Sequence, residues 1–334
     1  MKRIYIIAEA GVNHNGSPAL ACRLALAAKK AGADAVKFQT FKAELLAAPA
    51  ARKAGYQTRA TGGGDSQLAM LKKLELSRAA HLSLKAHCRE LGIEFLSSPF
   101  DLESAEFLLS LGLRTMKIPS GEITNLPLLR LIGRSGRRII ISTGMATLPE
   151  VAAALKALYD AGARKGDITL LHCNTEYPTP LRDVNLKAMA AMGRRFGLRY
   201  GYSDHTAGIT VPVAAAALGA EVIEKHLTLD KKLEGPDHKA SLEPAEFKAM
   251  VDAVRAVELA LGDEKKRPSP SERKNAPVAR KSITAAAGIA RGERFTDRNI
   301  AALRPGGGVS PMLWDKVLGK KARRDFKPGE KIEL

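Results

Sequence analysis

His205 and His226 each close a short run of β-forming residues, RYGYSDHT and AEVIEKHLTLD, and they narrow the chemistry of the chain more than any other pair. Side chains on a strand alternate faces, so Ser203 and His205 share one face of the first run, as Glu224 and His226 do on the second. Two imidazoles placed this way can converge on one metal ion. Taken singly, each could equally be an ordinary hydrogen-bonded histidine at a strand end, so the remaining strand ends must decide between the readings.

Two lysines are embedded in apolar sequence, Lys37 in VKFQ and Lys117 in MKIP. Burying an unpaired ammonium is costly, so each calls for an anionic ligand or an acidic neighbour. Two such lysines with several serines facing one cavity can hold a phosphate, because the ammonium groups supply charge and the hydroxyls supply donors of adjustable direction. Two neutral imidazoles without cysteine, with carboxylates nearby, suit manganese, cobalt, iron or zinc in an open, water-bearing site, the arrangement of a Lewis acid. Glu9, Glu122 and Asp237 could then move protons or orient hydroxyls, although each alone could as well form a structural ion pair.

Eight apolar, β-branched runs position these residues: IYIIAEAG, AVKFQTF, IEFLSSPF, TMKIPSGE, RIIISTGM, ITLLHCN, RYGYSDH and AEVIEKHL. Between them lie segments such as PALACRLALAAKKAGA and LPEVAAALKALYDAG, with Leu and Ala at i, i+3 and i+4 and often a closing Gly. Eight βα repeats predict a (β/α)8 TIM barrel in residues 1–262, with its active site at the C-terminal ends of the strands. The polar residues there are Glu9, Asn13, His14 and Asn15 after the first strand, then Lys37 and Gln39, Ser97 and Ser98, and Lys117, Ser120 and Glu122. The later strands add Ser142 and Thr143; Asn174, Thr175 and Tyr177; Ser203, Asp204 and His205; and Glu224, Lys225 and His226.

An insertion from about Glu44 to Ser77, carrying Tyr56, Gln57, the run Gly62 to Gly64, and Gln67, is expected to form a long loop over the barrel mouth. A last helix is expected from Glu243 to about Leu261, followed by a charged, Pro- and Ser-containing linker over 263–277. Residues 278–334 form a small unit with β-like SITAAAGI, a helix-like turn FTDRNIAAL and the loop RPGGGVSP. A unit of this size is expected to have little core of its own and to pack on the barrel or on another subunit.

With 334 residues, 45% of them hydrophobic, the chain can bury a substantial core. No apolar stretch is long enough to span a bilayer, and the run IYIIA meets Glu9 before a signal-peptide core could form, so no membrane partner and a cytoplasmic location are expected. Cys22, Cys88 and Cys173 are too scattered for a disulfide framework or a zinc-thiolate site. The net charge of +18 suits anionic partners, but the cations are spread along helical faces, linker and tail, and there are six tyrosines and one tryptophan for base stacking. A solvated basic surface is expected, with no nucleic-acid partner.

The segments AEAGVNHNG, VKFQTFKAE, SSPFD, KIPSGEITNLPLL, STGM, LHCNTEYPTP, GYSDHT, IEKHLTLD and GPDHKASLEP resemble the sialic acid synthases, a family that condenses phosphoenolpyruvate with an N-acetylated hexosamine. The tail RKSITAAAGIARGERFTDRNIAALRPGGGVSP resembles the antifreeze-like (SAF, β-clip) domain that follows the barrel in that family. The resemblance implies a divalent metal on His205 and His226, manganese first, with magnesium or cobalt as alternatives. It implies phosphoenolpyruvate held by Lys37, Ser98, Lys117, Ser120, Ser142 and Ser203. The amino sugar would meet Glu9, Gln39, Glu122, Tyr177 and Asp237, with Arg304 reaching in from the other subunit of a domain-swapped homodimer.

Glu122 is the first choice for handling the proton of the attacking water, Glu9 the second, and Lys117 joins them as a catalytic residue. Ser98 stands where many members have Thr, which keeps the hydroxyl, whereas Thr175 stands where some members that make N-acetylneuraminate have Asn. Together with YQTRATGGGDSQ and GPDHKASLEP, this favours a synthase of diacetylated nonulosonates such as legionaminic acid. The alternatives are an N-acetylneuraminate synthase using N-acetylmannosamine and, in another class, a non-catalytic carbohydrate-binding protein. A barrel hydrolase would want HxH after the first strand, where this chain has NHN.

Overall fold

The computed structural model describes residues 3–334 and divides into two compact units at Gly262/Asp263. In the first unit, β1 (Tyr5–Gly11), β2 (Ala35–Thr40), β3 (Glu94–Pro99) and β4 (Thr115–Ile118) are followed by β5 (Arg138–Ser142), β6 (Ile168–Cys173), β7 (Arg199–Asp204) and β8 (Val222–His226). Their hydrogen-bonded order is β3-β2-β1-β8-β7-β6-β5-β4, every pairing is parallel, and β3 lies against β4, so the sheet closes into the expected eight-stranded barrel.

Helix α1 (Pro18–Lys30) shows why the intervening segments fold as they do. The Ser17 hydroxyl accepts from Leu20 N, Pro18 occupies the first turn, and Ala21, Leu24, Ala25 and Ala28 form the buried stripe. The insertion after β2 departs from the expected long loop. It folds as α2 (Ala43–Leu46), α3 (Gly55–Thr61) and α4 (Gln67–Lys72), because Gln57 and Ser66 satisfy free N–H groups at the starts of α3 and α4, and Met70 and Leu74 bury against Val12 and Phe41. The barrel continues through α5 (Arg78–Leu91), α6 (Leu102–Ser110), α7 (Leu126–Arg134), α8 (Leu148–Asp160), α9 (Leu186–Phe196) and α10 (Thr210–Ala217) to α11 (Pro244–Ala260).

The second unit corrects three expectations. Half of the expected linker is the start of α12 (Pro270–Ala279), because Ser269, Pro270 and Glu272 supply an N-cap, a first-turn proline and a capping box. The expected helix-like turn FTDRNIAAL is a short turn followed by β10 (Ile300–Leu303), which pairs antiparallel with β9 (Ser282–Ala285); strand pairing overrides the helical bias of its alanines. The unit also has a core of its own, in which Ile283, Ile289, Phe295, Ile300, Val317, Phe326 and Ile332 are buried, with the short α13 (Trp314–Val317) at its side. Among the described residues no helix is long and apolar enough to cross a membrane.

Candidate active site

The barrel interior changes character in steps of two residues along its strands. Ile7, Ala35, Leu96, Ile140, Leu171 and Val222 form a buried apolar layer. Two residues further on, the same strands carry Glu9, Lys37, Ser98, Ser142, Cys173 and Glu224, while Thr115 and Gly201 are followed by Lys117 and Ser203. Another two residues bring Gln39, His205 and His226. Gly11, with φ +52°, leaves room at this level, since a Cβ there would stand 3.2 Å from Glu9 Oε1 and 3.5 Å from His226 Cε1.

These residues open into a cavity of about 580 Å³. It is lined by Glu9, Lys37, Gln39, Ser98, Lys117, Ser120, Glu122, Ser142, Tyr177, Ser203, His205, His226 and Asp237, thirteen of the fourteen residues proposed from sequence. The exception, Arg304, lies in the second unit, where its Nε donates to the Ala279 carbonyl at 2.9 Å. Sequence reasoning counted Glu224 among the strand ends but gave it no role, although it shares a face with His226 and stands between the two lysines. It also included residues that point elsewhere. Asp204 and Lys225 face the helical shell, as alternation from Ser203 and Glu224 requires, and pair there at 2.5 Å with neither side chain exposed. Asn13 donates to Leu227 O and Ser241 Oγ, and Ser97 bonds Thr40, all behind the cavity wall.

The floor of the cavity is an ion array. Lys37 Nζ stands 2.5 Å from Glu9 Oε2 and 3.7 Å from Glu224 Oε2, and donates to Ser98 Oγ at 3.2 Å. Lys117 Nζ lies 3.4 Å from Glu224 Oε1 and donates to Ser142 Oγ at 2.8 Å, while Ser203 Oγ donates to Glu224 Oε1 at 2.8 Å. The acidic neighbours demanded by the lysines are therefore Glu9 and Glu224. Burial pushes Glu9 up to about 7 despite the pull of Lys37. Burial would raise Glu224 as well, but Lys117 and Lys37 outweigh it and hold that carboxyl well below its usual range. Burial depresses Lys117, which Glu224 only partly offsets, whereas Glu224 and Glu9 keep Lys37 above its ordinary value against the same burial.

The His205 and His226 rings lie with centroids 5.3 Å apart and planes at 63°. His205 Nδ1 faces the Asn174 carbonyl and must donate to it, which leaves Nε2 as the lone-pair nitrogen, 3.1 Å from the Tyr177 hydroxyl. His226 Nδ1 is buried without a hydrogen-bond partner among the described residues, 4.0 Å from Asp237 Oδ2. Burial lowers His205 to about 4 and His226 well below its ordinary value, so both rings are neutral at pH 7. Burial raises Asp237 to about 7. Neutral imidazoles that present lone-pair nitrogens fit a divalent cation, which at His205 would take the place of the Tyr177 hydroxyl. Among the described residues no three His, Cys, Asp or Glu side chains stand together at metal-ligand spacing, so such a cation would keep water or substrate oxygens on its open positions.

At the rim, Glu122 accepts from Asn125 Nδ2 at 2.6 Å, and burial raises its carboxyl above the ordinary value. The insertion supplies the opposite wall. Tyr56 stacks on Tyr177 at 4.7 Å between centroids, Tyr177 stacks on His205 at 4.1 Å, and Gln57, Gln67, Leu71 and Leu74 complete that side.

Residues 24–266 match the NeuB family and residues 280–333 a SAF domain. The chain is 52% identical to N,N'-diacetyllegionaminic acid synthase of Campylobacter jejuni, covering 99% of both chains, and 45% identical to the protein of the same name from Legionella pneumophila, covering 97% of this chain and 92% of that one. Among solved structures, N-acetylneuraminic acid (sialic acid) synthetase from Leptospira borgpetersenii in complex with citrate is similar at a TM-score of 0.72 and 33% identity, covering 82% of this chain and 90% of that one.

Proposed function

The chain belongs to the NeuB family, and we propose on that footing that it condenses phosphoenolpyruvate with an N-acetylated mannosamine-type sugar and water, releasing phosphate and a nine-carbon 2-keto acid. The observation that carries this reading is the buried Lys37–Glu224–Lys117 array, edged with serine hydroxyls, directly beside a pair of neutral histidines. The names of the Campylobacter and Legionella relatives favour a 2,4-diacetamido-6-deoxy sugar, hence an N,N'-diacetyllegionaminate product, over N-acetylmannosamine and N-acetylneuraminate.

On this reading Lys37 and Lys117 hold the two anionic ends of phosphoenolpyruvate, with Ser98, Ser120, Ser142 and Ser203 as hydroxyl partners. The neutral nitrogens of His205 and His226 would hold a divalent cation, manganese first, which would supply Lewis acidity at the sugar aldehyde. Carbon 3 of phosphoenolpyruvate bonds to the aldehyde carbon, whose oxygen becomes an alkoxide that ends as a hydroxyl by taking the proton the attacking water releases, and carbon 2 becomes electron-deficient. Water adds at carbon 2 as Glu122, or failing it Glu9, takes its proton. The bond between carbon 2 and the phosphate oxygen then breaks as the carbon 2 hydroxyl passes its proton to the departing phosphate, leaving inorganic phosphate and the ketone. Gln39, Tyr177 and Asp237 orient the sugar. We propose that the active species is a homodimer, which light scattering on the purified chain will test.

The test of the reaction itself follows phosphate release from phosphoenolpyruvate with each sugar, with and without a chelator. Release only when sugar and metal are both present, faster with the diacetamido sugar, is expected. Release that is indifferent to the sugar refutes the condensation, and full activity after chelation refutes the role of the cation. Glu122→Gln should lower kcat by roughly 10²–10⁴-fold, and near-normal turnover with both substrates bound would remove Glu122 from the proton transfer.

A further inference from the structure

The cavity has two walls of opposite chemistry. The floor is ionic, whereas the side built by the insertion carries neutral amides and leucines: Gln57, Gln67, Leu46, Leu71 and Leu74. The two glutamines orient each other. Gln57 Oε1 accepts from Ala54 N at 2.9 Å and from Gln67 Nε2 at 3.4 Å, so its acceptor is occupied and its amide is turned. What remains is Gln57 Nε2 and Gln67 Oε1, neither of which meets a hydrogen-bond partner among the described residues. One free donor beside one free acceptor is the complement of a secondary amide, which presents one carbonyl and one N–H.

From this juxtaposition we propose that Gln57 and Gln67 form the specificity subsite for a second acetamido group on the sugar, with Leu46, Leu71 and Leu74 receiving its methyl group and the deoxygenated carbon. The inference rests on the synthase reading above and names the residues that would select a diacetylated sugar within it. A sugar with a hydroxyl in place of that acetamido group makes at most part of the pairing and brings an unmatched polar group against the leucines, which lowers its binding in the transition state relative to the diacetylated one.

The experiment compares kcat/KM for the 2,4-diacetamido-6-deoxy sugar and for N-acetylmannosamine in the native protein, Gln67→Leu and Gln57→Glu. The second variant keeps the oxygen that caps Ala54 and replaces the donor by a carboxylate oxygen, so it guards against a trivial loss of the insertion's fold. Each variant should shift the ratio of the two kcat/KM values toward N-acetylmannosamine by roughly 10-fold, the cost of about one hydrogen bond. An unchanged ratio in both variants overturns the subsite. Native protein that turns over neither sugar refutes the synthase reading instead, and calorimetric binding of the diacetamido sugar then decides the subsite: weaker binding in Gln67→Leu supports it and equal binding overturns it.

Discussion

Two buried lysine–carboxylate assemblies lie on opposite faces of β8, which gives Glu224 to the inner one and Lys225 to the outer, and they are built to different ends. On the outer face Lys225 is matched to one carboxylate: its Nζ donates to Asp204 Oδ2 and to the Thr206 carbonyl, while Asp204 also accepts from Thr206 N and Oγ1. On the inner face Lys37 and Lys117 share Glu224, Lys37 pairs in addition with Glu9, and Glu224 Oε2 has no nearer partner among the described residues than Lys37 Nζ at 3.7 Å. A pair matched one to one has no charge left to offer a ligand, and an array in which two lysines share one carboxylate is poised to exchange protein partners for substrate ones. Burial by itself therefore does not separate structural ions from functional ones; the matching of charge to counter-charge does.

Breaking the outer pair should have the largest effect on the fold. Asp204→Ala leaves Lys225 buried without its counter-ion and should cost about 3–5 kcal/mol of stability, read from urea unfolding. A loss below about 1 kcal/mol would erase the contrast. On the inner face, Lys117→Ala should weaken phosphoenolpyruvate binding by roughly 10–100-fold, as expected for one charge-assisted contact. Its unfolding midpoint should move far less than that of Asp204→Ala, because Lys37 and Ser203 still serve Glu224; unchanged affinity in calorimetry would remove Lys117 from the anion site. Replacing both outer partners, Asp204→Leu with Lys225→Met, should return stability to within about 1–2 kcal/mol of the native chain. If the double variant were as unstable as the single one, the pair would be holding more than its own charges. Smallest of all, Ser203→Ala removes one neutral donor from Glu224 and should cost about 1 kcal/mol or less, seen as a shift of a few degrees in Tm.

The barrel was legible because its eight strands carry β-branched runs at the spacing a βα repeat demands, and their ends could be searched for chemistry. Thirteen of the fourteen proposed side chains share one cavity for the same reason. Glu224 was overlooked although its place two residues before His226 put it on the inner face; the pairing of the histidines drew attention from the carboxylate beneath. The insertion and α12 were read as loop and linker because Gly, Pro and Ser were taken as breakers. In Ser269-Pro270-Ser271-Glu272 they are instead the start signal of a helix.

Sequence alone determined which side chains reach the barrel mouth, because strand alternation is a local rule that needs no partner strand. It also determined that two lysines embedded in apolar runs must find negative charge. Which carboxylates answer them was decided only by closure of the barrel, which sets β8 beside β1 and lays Glu9 level with His226 although more than two hundred residues separate them. Closure also buries the array, and burial rather than residue type sends Glu9 up and leaves His205 and His226 neutral. The amide-bearing wall is likewise a tertiary product, since Gln57 and Gln67 acquire complementary free groups only when α3 and α4 fold against each other.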